Sequence, residues 1–155
     1  MVISICTLAM WCTVCVVWIL PKRLSKKDMI LLYFINTIFV VTAFAVLTLN
    51  LKYFTITHSA ETQIGILMCH NIMIPLLLVA FDNISLYQSR LIQALGTAAV
   101  FASLTLFQKL LEQIGAIQYV HWNLFYASFL TVVFLLFSKI VTNVIITLSG
   151  DVQKI

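Results

Sequence analysis

The residues of this chain best suited to bind a ligand lie together at Cys69-His70-Asn71, followed by Pro75. They fall within an apolar run, about 64–81, that is long enough to cross a bilayer as a helix. Because proline has no N–H, the Asn71 carbonyl loses its helical donor, and the helix tends to kink there. Such polar groups at mid-membrane depth are typical of an intramembrane ligand site. The alternative is that His70 is neutral and that both polar side chains form hydrogen bonds to a neighbouring helix.

A second group of titratable residues belongs to two polar connections that a small bundle would place side by side. Its members are Lys52, His58, Glu61, Lys109, Glu112 and His121. Imidazole and carboxylate groups are ligands for divalent metals. The spacing His58-x-x-Glu61 is weak evidence by itself, and a solvated loop surface explains it equally, so we predict no metal site. Glu112 and His121 remain candidate ligand-binding residues beside His70 and Asn71.

The sequence lacks the motifs of common enzymatic chemistry. It contains no nucleophile motif, no phosphate-binding glycine loop and no H-E-x-x-H pattern, and its glycines number only four. All four cysteines lie in apolar runs, where free cysteine packs as a small hydrophobic residue. We therefore predict no catalytic residue and no cofactor, and an enzyme is the least expected class.

The composition indicates an integral membrane protein. Hydrophobic residues make up 63% of the chain and charged residues 9%, which is far more apolar than a soluble domain. We predict an all-α fold, a single transmembrane domain over residues 1–155 that forms a bundle of five helices. The predicted spans are about 2–20, 28–49, 64–81, 91–111 and 122–139.

The loop after the first span predicts the orientation of the bundle. It contains Lys22, Arg23, Lys26 and Lys27, and positive charge in short loops stays on the cytoplasmic side. With the N-terminus outside and the C-terminus inside, seven cations lie inside and two outside. The inside set is Lys22, Arg23, Lys26, Lys27, Arg90, Lys139 and Lys154, and the outside set is Lys52 and Lys109. The first span has no basic residue before it and no cleavage site after it, so we expect it to be retained.

Several polar and small residues predict local structure. Ser25 and Asp28 are spaced as a capping box at the start of the second helix. Asn36 lies within that helix, so its amide needs a partner on a neighbouring helix. We expect Asp82 to Arg90 to be a cytoplasmic loop, which rules out its Asn83-Ile84-Ser85 sequon. The fourth span has small residues that favour a close helix contact, namely Gly96, Ala98, Ala99, Ala102 and Ser103.

Three short stretches resemble a family of uncharacterised small multi-span membrane proteins of endospore-forming Firmicutes. The first is Leu20-Pro21-Lys22-Arg23-Leu24-Ser25 and the second is Leu49-Asn50-Leu51-Lys52-Tyr53, where members often have an acidic residue in place of Asn50. The third combines Glu112, Gly115, Trp122-Asn123, Tyr126 and Ser128. The resemblance implies a bacterial plasma or spore membrane. That family has no assigned activity, so no site residue is carried over.

Two functional hypotheses follow from these observations. In the first, the protein is a structural or accessory subunit that binds another membrane protein or itself through the small residues of the fourth span. In the second, it is a small transporter, channel or lipid-binding protein that uses His70, Asn71 and Pro75. The expected partner in either case is the lipid bilayer, with anionic headgroups near the basic loop. No nucleic-acid partner is expected.

Overall fold

The computed structural model describes residues 2–56, 59–119 and 123–149 as five long helices and two short strands. In chain order, the helices are Val2–Ile19, Lys26–Asn50, Ala60–Ser85, Arg90–Gln113 and Leu124–Ser149, here called the first to the fifth helix. Each is long and apolar enough to cross a membrane. The prediction of five membrane-length helices is thereby confirmed, whereas the orientation of the termini stays a prediction.

The third helix is the centre of the bundle. Of its most apolar 18-residue window, 61% is buried, against 11% in the first and fourth helices. It contacts each of the other four helices. Gly65 lets the first helix approach, because a Cβ there would lie 3.4 Å from the Ile3 Cα. The third helix is therefore the most buried of the five helices.

The basic loop ends in the predicted cap. Ser25 Oγ accepts a hydrogen bond from the Asp28 backbone N–H at 3.2 Å and donates one to Asp28 Oδ2 at 2.8 Å. The cap satisfies one of the free N–H groups of the second helix, and the carboxylate lies at its positive end. The prediction of a helix start at Ser25 is confirmed.

The loop is also attached to the third helix, through Asn83. Asn83 Oδ1 accepts hydrogen bonds from the backbone N–H groups of Arg23 at 2.6 Å and Leu24 at 3.3 Å, and Asn83 Nδ2 donates to the Pro21 carbonyl at 2.7 Å. The Arg23 guanidinium lies 5.1 Å from the centre of the Tyr87 ring, within the range of a cation–π contact. These contacts bring the basic loop and the end of the third helix together at one end of the bundle.

Two polar connections meet at the opposite end. Strand β1 (Phe54–Ile56) pairs antiparallel with β2 (Ile117–Tyr119), in a register that places Thr55 opposite Gln118. The prediction that these connections are neighbours is confirmed. The strands are short additions to a fold that is otherwise all-α, as predicted.

The third helix extends beyond its predicted end. It continues to Ser85 and includes Asp82 and Asn83, which the sequence placed in a loop. The prediction of a loop beginning at Asp82 is wrong, because both side chains find polar partners inside the protein and do not need water. The fifth helix continues beyond its predicted span to Ser149, as expected from the apolar residues that follow Lys139 and precede Gly150.

The fourth helix packs against the end of the third helix through Gly96. A Cβ on Gly96 would clash with the Ile84 Cγ2 atom, so the contact requires glycine unless Ile84 moves. In contrast, the other small residues of the predicted contact are exposed, namely Ala98, Ala99, Ala102 and Ser103. The small-residue side of the fourth helix is therefore only partly used within the bundle.

Candidate functional site

His70 lies in a dry contact between the second and third helices. Its imidazole stacks on the Phe44 ring, with centroids 3.6 Å apart and an interplanar angle of 16°. Only 8% of His70 is exposed. The contact is of the kind that packs aromatic rings in a protein core.

Asn71 contributes its backbone to helix packing. The segment Cys69–Met73 is π-helical and ends two residues before Pro75. Proline supplies no donor to the Asn71 carbonyl, and the Tyr33 hydroxyl of the second helix donates to it instead, at 2.9 Å. A neighbouring helix therefore satisfies the group freed by Pro75, but through the Asn71 backbone and not through the His70 and Asn71 side chains that the alternative from the sequence named.

A small pocket lies beside these residues, with a volume of about 230 Å³. Its lining is mainly apolar and includes Val41, Ala45 and Ile66, with Thr48, His70 and Asn71 as the polar members. Few polar groups converge on it, in contrast with the usual ligand site.

Of the other two candidate residues, Glu112 lies at the end of the bundle that carries the two strands, and His121 lies outside the described residues. Glu112 is exposed in the last turn of the fourth helix. His121 and His58 lie outside the described residues, so the proposed cluster around them stays a prediction. Among residues 2–56, 59–119 and 123–149, no group of three His, Cys, Asp or Glu side chains is arranged to hold a metal ion.

A different polar cluster, here called the Asp82 cluster, joins the second, third and fifth helices. It consists of Asn36, Asp82, Ser138 and Thr142, each at most 1% exposed. Asn36 Nδ2 donates to Ser138 Oγ at 2.8 Å, and Ser138 Oγ donates to Asp82 Oδ2 at 2.6 Å. The expectation that Asn36 needs a partner on another helix is confirmed, and the partner is Ser138.

Three oxygens of the Asp82 cluster have no hydrogen-bond partner among the described residues. They are Asn36 Oδ1, Asp82 Oδ1 and Thr142 Oγ1. The Asn36 amide and the Thr142 hydroxyl both lie close enough to the Asp82 carboxyl to act as weak hydrogen-bond donors to it. An unsatisfied buried polar group costs roughly 1–3 kcal/mol, so a cluster that leaves these oxygens without well-formed hydrogen bonds is costly.

The Asp82 carboxyl also has no close cationic partner in the described part of the chain. Lys139 interacts electrostatically with Asp82, but no ion pair joins Asp82 to a basic side chain in the described part of the chain. Lys139 itself is exposed. A buried carboxylate of this kind favours binding of one positive charge, and ionisable residues within membrane helices mark ion or proton sites by default.

The sequence contained one signal for this site. Asn36 required a partner, and Ser138 and Thr142 are spaced four residues apart, on one face of a helix. Asp82 was missed because the apolar run of the third span stops at Phe81. The four orienting cations, Lys22, Arg23, Lys26 and Lys27, are exposed at the end of the bundle where Asn83 holds the loop.

No protein-family model, curated protein or solved structure matches this chain. The resemblance to the endospore-former family therefore stays a prediction, and the function has to be inferred from the geometry of the chain itself.

Proposed function

We propose that this protein is a small membrane transporter or channel that binds one sodium ion at Asp82. The observation that carries the proposal is the Asp82 carboxyl, 0% exposed in the central helix, with its Oδ1 atom unpartnered beside two other unpartnered oxygens. The transport class was one of two hypotheses from the sequence, and the proposed site now moves from His70 to Asp82.

The ligand set favours a small, hard, monovalent cation. Carboxylate, amide and hydroxyl oxygens are hard ligands, whereas thiolate and imidazole suit transition metals. The Asp82 cluster contains one carboxylate, so a single positive charge neutralises it. A proton on Asp82 would be shared with one acceptor, whereas a sodium ion would be able to use carboxylate, amide and hydroxyl oxygens together as ligands.

Sodium uptake into proteoliposomes tests this proposal, with two threonines as a matched pair. Thr142 and Thr105 are both buried hydroxyls without a partner among the described residues, but only Thr142 belongs to the Asp82 cluster. We expect Asp82→Asn and Thr142→Val to lower 22Na+ uptake by about 10- to 100-fold, the range seen when support around a metal ion is lost. Thr105→Val should retain the wild-type rate.

The same assay separates the Asp82 cluster from the site suggested by the sequence. His70→Ala should keep its sodium uptake, because the imidazole is stacked on Phe44 and no hydrogen bond links it to the Asp82 cluster. Uptake that survives Asp82→Asn, or that equals protein-free vesicles in the wild type, contradicts the proposal. Uptake of protons without sodium would assign the carboxyl to proton transfer instead.

A second candidate function, self-association as an accessory subunit, is favoured by the exposed face of the fourth helix. Ala98 and Ala102, like Ala99 and Ser103, are small residues four positions apart on an exposed surface. Such pairs let helices approach closely in lipid, where packing and not the hydrophobic effect drives association.

Fluorescence energy transfer between labelled copies in bilayers tests the second candidate. We expect Ala99→Ile and Ser103→Ile to weaken dimerisation by about 1 kcal/mol or more, since each added side chain separates the two backbones. Leu106→Ile, an exposed volume-conserving change on the same helix, serves as the control. Energy transfer equal to that of non-interacting helices, or unchanged in the isoleucine variants, rules out this interface.

A further inference from the structure

We infer that the groove between the fourth and fifth helices binds an anionic phospholipid. The groove has a volume of about 740 Å³. It opens at the surface of the bundle, and none of the four side chains of the Asp82 cluster lines it, although Lys139, which does, also interacts electrostatically with Asp82. The inference does not depend on sodium transport.

Charge is concentrated at one end of the groove. Arg90, the first residue of the fourth helix, and Lys139 of the fifth helix both line it. Its lining contains no acidic side chain among the described residues. Two cations without a carboxylate attract a phosphate, and Arg forms paired hydrogen bonds to phosphate oxygens.

The rest of the groove is suited to an acyl chain. Phe101 and Val132 line it away from the cations, with alanines 94 and 98 between them. Arg90 and Phe101 are eleven positions apart on one helix, which corresponds to about 16 Å along its axis. That distance matches about half of the roughly 30 Å hydrocarbon core, the depth that one lipid tail occupies.

The basic end of the groove also lies at the end of the bundle that carries the basic loop, where a lipid headgroup would meet further cations. Arg90 follows the turn after the third helix, where Gln93 Nε2 donates to the carbonyls of Ser85 at 2.9 Å and Tyr87 at 2.6 Å. The basic loop is attached to this same end through Asn83. A phosphate at Arg90 and Lys139 would therefore lie near other exposed cations, and the tail would extend toward the bundle centre.

Native mass spectrometry of the full chain released from micelles tests the inference. Phosphatidylglycerol and phosphatidylcholine with identical acyl chains are the probes. We expect one phosphatidylglycerol to be retained in preference to phosphatidylcholine. Arg90→Gln should weaken its binding about fivefold, and the double variant with Lys139→Gln about 30-fold, because each cation near a headgroup contributes about the same free energy.

Two controls make the result specific to the groove. Lys26→Gln with Lys27→Gln removes two exposed cations that do not line it, and should change binding less than twofold. Ala98→Trp fills the groove and keeps both cations, and should also abolish retention. The inference would be overturned if the two double variants lost phosphatidylglycerol equally, or if both lipids were retained equally. It would also be overturned if excess inorganic phosphate displaced the bound phosphatidylglycerol.

Discussion

Asp82→Asn is expected to make the protein more stable in sodium-free buffer, raising the free energy of unfolding by at most about 2.5–3.5 kcal/mol, the cost of placing an aspartate within a membrane helix. An asparagine at this position is neutral. It can still accept the hydrogen bond from Ser138 Oγ, and its new Nδ2 donor can reach toward Asn36 Oδ1 or Thr142 Oγ1, which are unpartnered in the described structure. The substitution thus removes a buried charge and adds a donor.

Sodium should offset this difference in stability. A ligand that binds only the folded protein stabilises it by about 2.7 kcal/mol at a concentration 100 times its Kd. Wild type should therefore unfold at higher temperature as sodium replaces choline in the buffer, and Asp82→Asn should not respond. The measurement is thermal unfolding in detergent micelles, with Thr105→Val as the control.

The opposite result would assign Asp82 to helix packing. If Asp82→Asn is less stable than wild type and sodium changes neither protein, the hydrogen bonds among Asn36, Ser138 and Asp82 serve to hold three helices together. Hydrogen bonds between membrane helices are commonly worth about 0.6 kcal/mol each, so such a loss would be small but measurable.

Asn83→Ala is expected to destabilise the protein by about 3 kcal/mol, because two backbone N–H groups lose their acceptor at once. The Pro21 carbonyl also loses its shorter hydrogen bond and keeps only the one from the Tyr87 hydroxyl at 3.4 Å. The affected groups belong to Arg23, Leu24 and Pro21. Leu24 is only 6% exposed, so water cannot readily replace the lost acceptor there. The basic loop should then separate from the end of the third helix.

Two measurements check the Asn83 prediction. Denaturant unfolding in mixed micelles gives the free energy, and limited trypsin cleavage at Lys22 and Arg23 reports on the loop, which should be cut faster in the variant. Asn143→Ala, which removes an exposed asparagine from the fifth helix, is the matched control. Equal cleavage rates and equal stability in Asn83→Ala and wild type would show that the loop is held by other contacts.

Much of the fold could be predicted from the sequence because the membrane imposes simple requirements. Runs of about 20 apolar residues must be helical, since every backbone group needs a partner within the lipid. The cap at Ser25 and the carbonyl freed by Pro75 were predictable for the same reason, because they depend on residues three or four positions apart. That the two outer polar connections are neighbours followed from the number of helices and the shortness of the connections, whereas their pairing as strands β1 and β2 was not predicted.

The candidate site was not predictable, because it depends on contacts between distant residues. Asn36, Asp82 and Ser138 are separated by 46 and 56 positions, and only helix packing brings them within hydrogen-bond distance. Hydropathy ends the third span before Asp82, since a charged residue in isolation favours water. The free-energy cost of burying Asp82 becomes smaller once the Ser138 hydroxyl donates a hydrogen bond to its carboxyl.

The sequence by itself thus determined a five-helix membrane bundle and predicted its orientation from Lys22, Arg23, Lys26 and Lys27. Tertiary structure decided which polar residues matter. It stacked His70 on Phe44 and placed the Tyr33 hydroxyl within hydrogen-bond distance of the Asn71 carbonyl. It also left Asn36 Oδ1, Asp82 Oδ1 and Thr142 Oγ1 without a well-formed hydrogen bond among the described residues. The physical reason is that hydrophobicity is a property of each segment, whereas satisfaction of a buried polar group depends on its neighbours.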